Sequence, residues 1–117
     1  MKHGEVWLVD FAPKVGQEID KVRPAVIVNH DSMGALQLKV IVPITDAVRS
    51  IRDWHVPLNP SKDNGIAKES VADCFQVKSI SKERFVKRLG SLSTNEMEGG
   101  KTKSNLSTGF TLIGRKL

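Results

Sequence analysis

The sequence has little cysteine and no long apolar run, and each shortage excludes a class of protein. Cys74 is the single cysteine of the 117 residues, so neither an internal disulfide nor a cysteine-rich zinc site can form. The longest apolar run is the five residues 40–44, counting Pro43, whereas a membrane-spanning helix needs roughly 20. The first residues fit neither a secretory signal nor a transit peptide. We expect a cytoplasmic protein with no membrane segment.

Motifs of the common metal and nucleotide enzymes are also missing. The three histidines, at positions 3, 30 and 55, do not have the spacings of metal-binding motifs. The sequence contains no glycine-rich phosphate loop, no G-x-S-x-G elbow and no H-E-x-x-H motif. We therefore expect no metal and no cofactor, and any catalysis must use a few polar side chains.

Composition and charge describe a small folded protein with a basic half. Hydrophobic residues make up 39% and charged residues 26% of the chain, which is typical of globular domains, and the length predicts a single domain over residues 1–117. The net charge is +5, and residues 78–117 carry nine positive against three negative charges. Such a surface suits a polyanion such as nucleic acid, but it also serves solubility alone. Charge leaves both interpretations open.

The apolar pattern predicts a mainly β protein. Valine and isoleucine number 21 against nine leucines, and β-branched residues favour strands. Ser93 and Glu96 form a capping-box pattern that predicts a C-terminal helix reaching toward Ser107, and Ser81 can cap one short turn. The short spacing between the candidate strands predicts a compact barrel or sandwich. The candidate strands are residues 6–11, 25–28, 36–42, 54–58, 70–77 and 84–92.

Three polar residues stand near predicted strand ends. Glu18 lies in a polar loop at residues 12–22, Arg23 directly precedes a buried strand and Thr45 follows another. An arginine offers a phosphate two parallel donors, a threonine hydroxyl adds a third, and a carboxylate accepts a proton. Alternatively, Arg23 pairs with Glu18 or Asp20 at the surface and Thr45 caps a turn. Spacing alone does not decide between these interpretations.

The order of the motifs resembles the MazF/PemK toxin family over roughly residues 3–93. The residues that carry this resemblance are GEVWLVDF (4–11), Gly16, Glu18, RPAVIV (23–28), VPIT (42–45), QVKSI (76–80), Arg84 and LGSLS (89–93).

The resemblance implies both a fold and an activity. The fold is mainly β (α+β), a small SH3-like antiparallel barrel of the MazF/PemK/CcdB type with short helices and a C-terminal helix, working as a homodimer. The activity is that of a metal-independent endoribonuclease toxin, which cuts single-stranded RNA at a short sequence. It leaves a 2′,3′-cyclic phosphate and a 5′-hydroxyl. A cognate antitoxin with an acidic C-terminal segment neutralises such a toxin.

The resemblance also implies roles for individual residues. Arg23 matches the family's catalytic arginine and would stabilise the phosphorane. Thr45 would donate a hydrogen bond to the scissile phosphate, and Glu18 is the candidate general base. The residues predicted to contact RNA are Gln17, Lys21, Gln76, Lys78 and Arg84.

One residue departs from the family pattern. Phe75 stands where several members place an acidic residue, so proton-transfer roles based on that carboxylate do not transfer, and the leaving-group acid stays open. Alternation over residues 70–77 places Phe75 on the strand face of Val71 and Val77, which predicts a core position. Trp7 is expected in the core, and Trp54 is expected to be exposed.

Two further functions stay open at this stage. The chain can be a catalytically silent homologue that binds RNA or antitoxin, as Phe75 and the glycine pair 99–100 suggest. It can also be a gyrase-targeting toxin of the same fold, although the pairing of Arg23 with Thr45 argues against that function.

Overall fold

The computed structural model describes residues 1–12, 22–31, 37–47 and 49–98. Within these ranges the chain forms seven strands, two 3-10 turns and one α-helix, so the mainly β prediction is confirmed. The turns are Cys74–Gln76 and Lys82–Arg84, and the second is capped by Ser81 as predicted. The other elements are β1 (Glu5–Asp10), β2 (Val22–Ile27), β3 (Leu38–Asp46), β4 (His55–Leu58), β5 (Ser70–Asp73), β6 (Lys78–Ser81), β7 (Phe85–Ser91) and α1 (Thr94–Met97).

The strands form one antiparallel sheet in the order β4-β5-β3-β2-β1-β7. Strand β3 is its centre because two strands share one of its edges. The first half of β3 pairs with β6, from Leu38 to Ile41, and the second half pairs with β5, from Ile44 to Asp46. The opposite edge of β3 pairs with β2 through Ala25 and Pro43.

Strand β3 runs through Pro43 to Asp46, so it extends four residues past the predicted end at residue 42. Proline has no N–H and normally interrupts a central strand. Here the ladder to β6 stops at Ile41 and the ladder to β5 starts at Ile44. Residues 42–43 therefore take part in neither of these two ladders, and the missing donor is tolerated there.

The predicted strand over residues 70–77 is interrupted in its middle. Strand β5 ends at Asp73, whose carboxylate accepts a hydrogen bond from the Phe75 N–H at 3.2 Å and caps the Cys74–Gln76 turn. The alternation of a strand does not apply within this turn. The expected core position of Phe75 is wrong, because its side chain is 77% exposed.

Alternate side chains of the sheet divide into two apolar clusters. The larger cluster includes Val6, Val26 and Val42 and forms the main core. The smaller cluster, on the other face, is built on four buried residues with Trp7 and Phe85 packed against it edge to face at 5.8 Å. Trp7 thus packs against a buried cluster, as expected. The four buried residues are Val9, Ala25, Ile27 and Ile41.

The capping box at Ser93 is present as predicted. The Ser93 hydroxyl accepts from the Glu96 N–H at 3.0 Å, and the Glu96 carboxylate accepts from the Ser93 N–H at 2.9 Å. Helix α1 follows and ends at Met97, with Glu98 as its C-cap, so it is shorter than predicted within the described residues. The rest of the predicted span, residues 99–107, lies outside them. In the described part of the chain, no helix has the length and hydropathy needed to cross a membrane.

Asn64 joins the segment after β4 to helix α1. Its side chain is fully buried. The amide oxygen accepts from the N–H groups of Ser61 and Ile66 at 3.0 and 2.9 Å. The amide nitrogen donates to the Asn59 carbonyl at 2.9 Å and to Glu96 Oε2 at 3.0 Å. All four contacts need an amide, since a carboxylate cannot donate.

We expect Asn64→Ala to destabilise the protein by about 3 kcal/mol, because the buried Ile66 N–H would lose its partner and the bonds to Ser61, the Asn59 carbonyl and Glu96 would be lost with it. The matched control is Asn59→Ala, which keeps the backbone carbonyl and removes only an exposed amide. Urea unfolding of both variants measures the difference. Equal midpoints for the two variants would contradict the role assigned to the Asn64 side chain.

Candidate active site

Two of the predicted catalytic residues lie on the neighbouring strands β2 and β3. The register pairs Val26 with Val42 and ends with Ala25 opposite Pro43. Arg23 and Thr45 lie two residues beyond this last pair, each on its own strand. Side chains two residues apart on a strand share a face, so Arg23 is on the face of Ala25 and Thr45 is on the face of Pro43.

Arg23 has an exposed side chain, and its backbone pairs with Val9 of β1. None of the described residues forms a hydrogen bond or ion pair with its guanidinium. The planar array of donors of an exposed arginine suits an incoming anion.

Thr45 is half-buried at the end of β3. Its hydroxyl donates to the Asp46 carbonyl at 3.4 Å, which is long for an O–H donor. A bond of that length is readily exchanged for one to a phosphate oxygen. The two side chains together can thus offer a fixed cation and a neutral donor to one phosphate.

Basic residues follow the same face toward β1. Lys78 of β6 lies opposite Ile41, and its ammonium sits 5.2 Å from the centre of the Phe11 ring. Arg84 donates from Nη1 to the carbonyl of Asp10 at 3.2 Å and to the carbonyl of Ala12. Arg84 thereby fixes the backbone just before residues 13–21, so the structure gives it a positioning contact beside its predicted role toward RNA.

Gln76 lies at the end of the Cys74–Gln76 turn with its amide exposed. Its Nε2 donates to Asp73 Oδ2 at 3.0 Å. Because a carboxylate only accepts, this contact assigns the nitrogen to the Asp73 side and leaves Gln76 Oε1 as the outward acceptor. The predicted RNA contacts of Gln76 and Lys78 stay predictions.

The other predicted site residues belong to the segment between β1 and β2. Glu18, the candidate base, lies outside the described residues, as do Gln17 and Lys21. The alternative pairing of Arg23 with Glu18 or Asp20 falls on the same segment. Their roles stay predictions.

Part of the positive charge of residues 78–117 is paired on β7. Arg88 Nε lies 3.4 Å from Glu5 Oε2, and its Nη2 donates to Ser91 at 2.8 Å. Burial alone would raise the pKa of Glu5, but the hydrogen bond from Trp7 and the charge of Arg88, among other contacts, lower it overall. Glu5 therefore stays ionised, and Arg88 contributes less free positive charge than the sequence suggests.

Cys74 is a packing residue. Its side chain is buried in the main core. Burial, with a smaller effect of Asp73, raises the pKa of its thiol to about 12, so the thiol is neutral and weakly nucleophilic at physiological pH. Among the residues the structure describes, no group of three or more His, Cys, Asp or Glu side chains is placed to hold a metal ion.

Sequence reasoning missed an aromatic pair next to Gln76. The exposed rings of Trp54 and Phe75 lie 5.6 Å apart at an angle of 42°. Trp54 was expected to be exposed, and it is, at 38%. The signal for Phe75 was Asp73, since an aspartate two residues before a backbone N–H often caps a turn.

Solved structures share this fold. An endoribonuclease from a mycobacterial species, solved in complex with its cognate antitoxin, has a TM-score of 0.70 at 18% identity, covering 97% of this chain and 95% of that one. MazF from Deinococcus radiodurans has a TM-score of 0.69 at 17% identity, covering 100% and 97%. The chain therefore has the MazF fold, as the sequence predicted.

Sequence comparisons give the family. The family described as PemK-like, MazF-like toxin of type II toxin–antitoxin system matches residues 2–103. Endoribonuclease MazF9 of Mycobacterium tuberculosis is 30% identical over 103 residues, which is 83% of this chain and 86% of that protein. Endoribonuclease MazF of Staphylococcus saprophyticus is 30% identical over 115 residues, 97% and 95% of the two chains. The chain belongs to the PemK/MazF toxin family, a family of endoribonuclease toxins, which confirms the resemblance and the enzyme class.

Proposed function

We propose that this chain is a metal-independent endoribonuclease toxin that cuts single-stranded RNA at a short sequence and leaves a 2′,3′-cyclic phosphate and a 5′-hydroxyl. The observation that carries the proposal is the exposed Arg23 guanidinium, which has no partner among the described residues, on the strand next to the one that carries the Thr45 hydroxyl. A phosphate placed between them meets one cation and one neutral donor. The named relatives are endoribonucleases, which supports the same reaction here.

The reaction joins the ribose O2′ to the phosphorus and breaks the bond from phosphorus to O5′. Glu18 takes the proton of the 2′-hydroxyl, which makes O2′ the nucleophile. Arg23 and Thr45 hold the phosphorane oxygens, where negative charge develops. We assign the proton that reaches O5′ to a water molecule bound by Arg23, since Phe75 has no proton to give. DNA lacks the 2′-hydroxyl and stays intact.

The partners follow from charge and family. Two chains of net charge +5 make a homodimer of twice that charge, which attracts RNA. An antitoxin with an acidic C-terminal segment suits the same basic surface, and a related endoribonuclease has been solved with its cognate antitoxin. RNA and antitoxin then compete. We place the activity in the cytoplasm, where messenger RNA is translated.

The direct test incubates the purified protein with a long single-stranded RNA in EDTA and maps the new 5′ ends. We expect discrete cuts that share a short sequence, and no cuts in DNA of the same sequence. RNA that is bound but stays whole would favour the catalytically silent homologue. Inhibition of gyrase without RNA cleavage would favour the gyrase-targeting function.

Thr45→Val is expected to lower kcat by roughly 10²-fold, the usual effect of removing one donor to a developing negative charge. Valine keeps the shape and β-branching, so the strand and the KM for RNA should change little. Thr94→Val on helix α1, whose side chain is exposed, is the matched control. Single-turnover cleavage separates kcat from binding, and an unchanged rate for Thr45→Val would remove Thr45 from the mechanism.

A further inference from the structure

We propose that Trp54 and Phe75 form a stacking platform that binds one base of the RNA beside the cleavage site; the inference rests on the proposed function. Among the residues that the structure describes, Phe75 is the most exposed large hydrophobic side chain. Its ring lies 5.6 Å from that of Trp54. Exposed aromatic faces that bind single strands stack bases of any identity.

The exposure of Phe75 is built into the backbone. Asp73 accepts from the Phe75 N–H through Oδ1 and from Gln76 through Oδ2. The Cys74 N–H donates to the Trp54 carbonyl at 2.9 Å, and the Cys74 side chain is anchored in the core. These bonds tie the two aromatic residues to each other and hold Phe75 outward. A platform fixed before binding loses little conformational entropy when a base arrives.

The surroundings of the rings suit a base rather than an apolar protein segment. Asp53 and Gln76 are exposed polar neighbours of the pair, and His55 is half-buried beside Trp54 at 5.8 Å. An apolar partner needs a contiguous patch of a few hundred Å², whereas two rings with polar edges match one planar heterocycle. Gln76 Oε1 faces outward and can accept from an amino or imino N–H of that base.

The platform lies close to the proposed cleavage site. Strands β3 and β5 pair Ile44 with Ala72 and run antiparallel, so the Cys74–Gln76 turn that follows β5 contacts β3 on the Val42 side of Ile44. Val42 is three residues from Thr45, which is about 10 Å along a strand, and the neighbouring strand is about 5 Å away. A base on the platform therefore belongs to a nucleotide within one or two positions of the scissile phosphate. Lys78, three residues after Phe75, supplies a cation for the adjoining backbone.

The test is a coupling measurement between Phe75 and one base. The probe is an RNA of the mapped cleavage sequence with a 2′-deoxy nucleotide at the cut, so that the wild-type protein binds it without cutting. A series of such RNAs carries one abasic position each. We expect one abasic position to weaken binding roughly 5- to 100-fold, and Phe75→Ala to weaken binding of the intact RNA by a similar factor. In the Phe75→Ala protein, the same abasic position should then weaken RNA binding by less than about twofold.

Leu38→Ala is the matched control, because Leu38 is also exposed, at 52%, but lies at the opposite end of β3 from Thr45. A second readout uses Trp54 fluorescence in a Trp7→Phe background. RNA should quench it, and RNA abasic at the critical position should not. If the abasic position weakened binding by the same factor in Phe75→Ala as in wild type, the platform would be overturned. It would also be overturned if Phe75→Ala did not change RNA binding. If Phe75→Ala changed only the dissociation constant of the dimer, the rings would be assigned to self-association and the platform would again be overturned.

The proposed function fails in a different way. A protein that cuts no RNA contradicts the proposed endoribonuclease activity. If that protein still binds RNA, and Phe75→Ala removes the effect of one abasic position on the affinity, the platform is still supported. A protein that neither cuts nor binds RNA contradicts both. Normal cutting with no coupling between Phe75 and a base contradicts the platform alone.

Discussion

Replacing Arg23 by alanine is expected to lower the rate of RNA cleavage by about 10³-fold or more while the protein stays folded. The change removes an exposed cation from β2, the strand next to the one that carries Thr45. A single neutral donor to a developing oxyanion contributes roughly 10²–10³ in rate, and an arginine on a phosphoryl group roughly 10³–10⁵. The side chain is exposed, so its loss leaves no cavity and no orphaned buried group.

Two comparison variants make this result specific. Arg23→Lys keeps the charge and loses the planar pair of donors, so we expect an intermediate rate. Lys62→Ala removes one positive charge from an exposed position between β4 and β5 and should cut as wild type does. Rates are compared at saturating RNA, with urea unfolding to show equal stability. An Arg23→Ala protein that cuts within tenfold of wild type would refute Arg23 as the main stabiliser of the phosphorane.

Much of the sheet could be predicted because several of its strands are short apolar segments rich in β-branched residues. Buried strands such as β1 and β2 stand out as short apolar runs between polar loops, and the capping box at Ser93 gives the start of α1 locally. The end of β3 could not be predicted from Pro43, because a proline is tolerated within a strand wherever no neighbouring strand needs its N–H for the ladder. Pairing partners are a property of the fold, so this information is not local.

The residues of the candidate site come from family order, and their catalytic roles stay predictions. Family order points to Arg23 and Thr45, and the structure places them on the neighbouring strands β2 and β3. The aromatic pair was missed because alternation was extended past Asp73, where a side-chain cap replaces the ladder bond. Strand patterning places residues only while the ladder continues. The positioning contact of Arg84 joins residues more than 70 positions apart and has no local signal.

Gly65→Ala is expected to be the most destabilising single-methyl change in the described part of the protein, at about 3–5 kcal/mol. Two separate costs meet at this position. Its φ is +69°, in the left-handed region, which costs a residue with a Cβ roughly 1–2 kcal/mol. A Cβ there would also lie 2.2 Å from the Leu89 carbonyl oxygen, so the segment after β4 must move away from β7. Overpacking of this kind costs about 1–3 kcal/mol or more.

Two other glycines separate these costs. Gly4 has φ of +87°, but a Cβ would meet nothing closer than 3.8 Å, so Gly4→Ala tests the conformational cost alone. Gly90 has no positive φ, and a Cβ would lie 2.2 Å from the Asp63 carbonyl, so Gly90→Ala tests the contact alone. Urea midpoints should fall in the order Gly4→Ala, Gly90→Ala, Gly65→Ala, with the last the least stable. The Ser91 N–H donates to that same Asp63 carbonyl at 2.8 Å, and this hydrogen bond joins the segment after β4 to β7. The added methyl of Gly90→Ala would therefore disturb this bond. Equal midpoints for Gly65→Ala and Gly4→Ala would mean that the segment can shift away from β7 at little cost, and the close approach would then not be a stabilising feature of the fold.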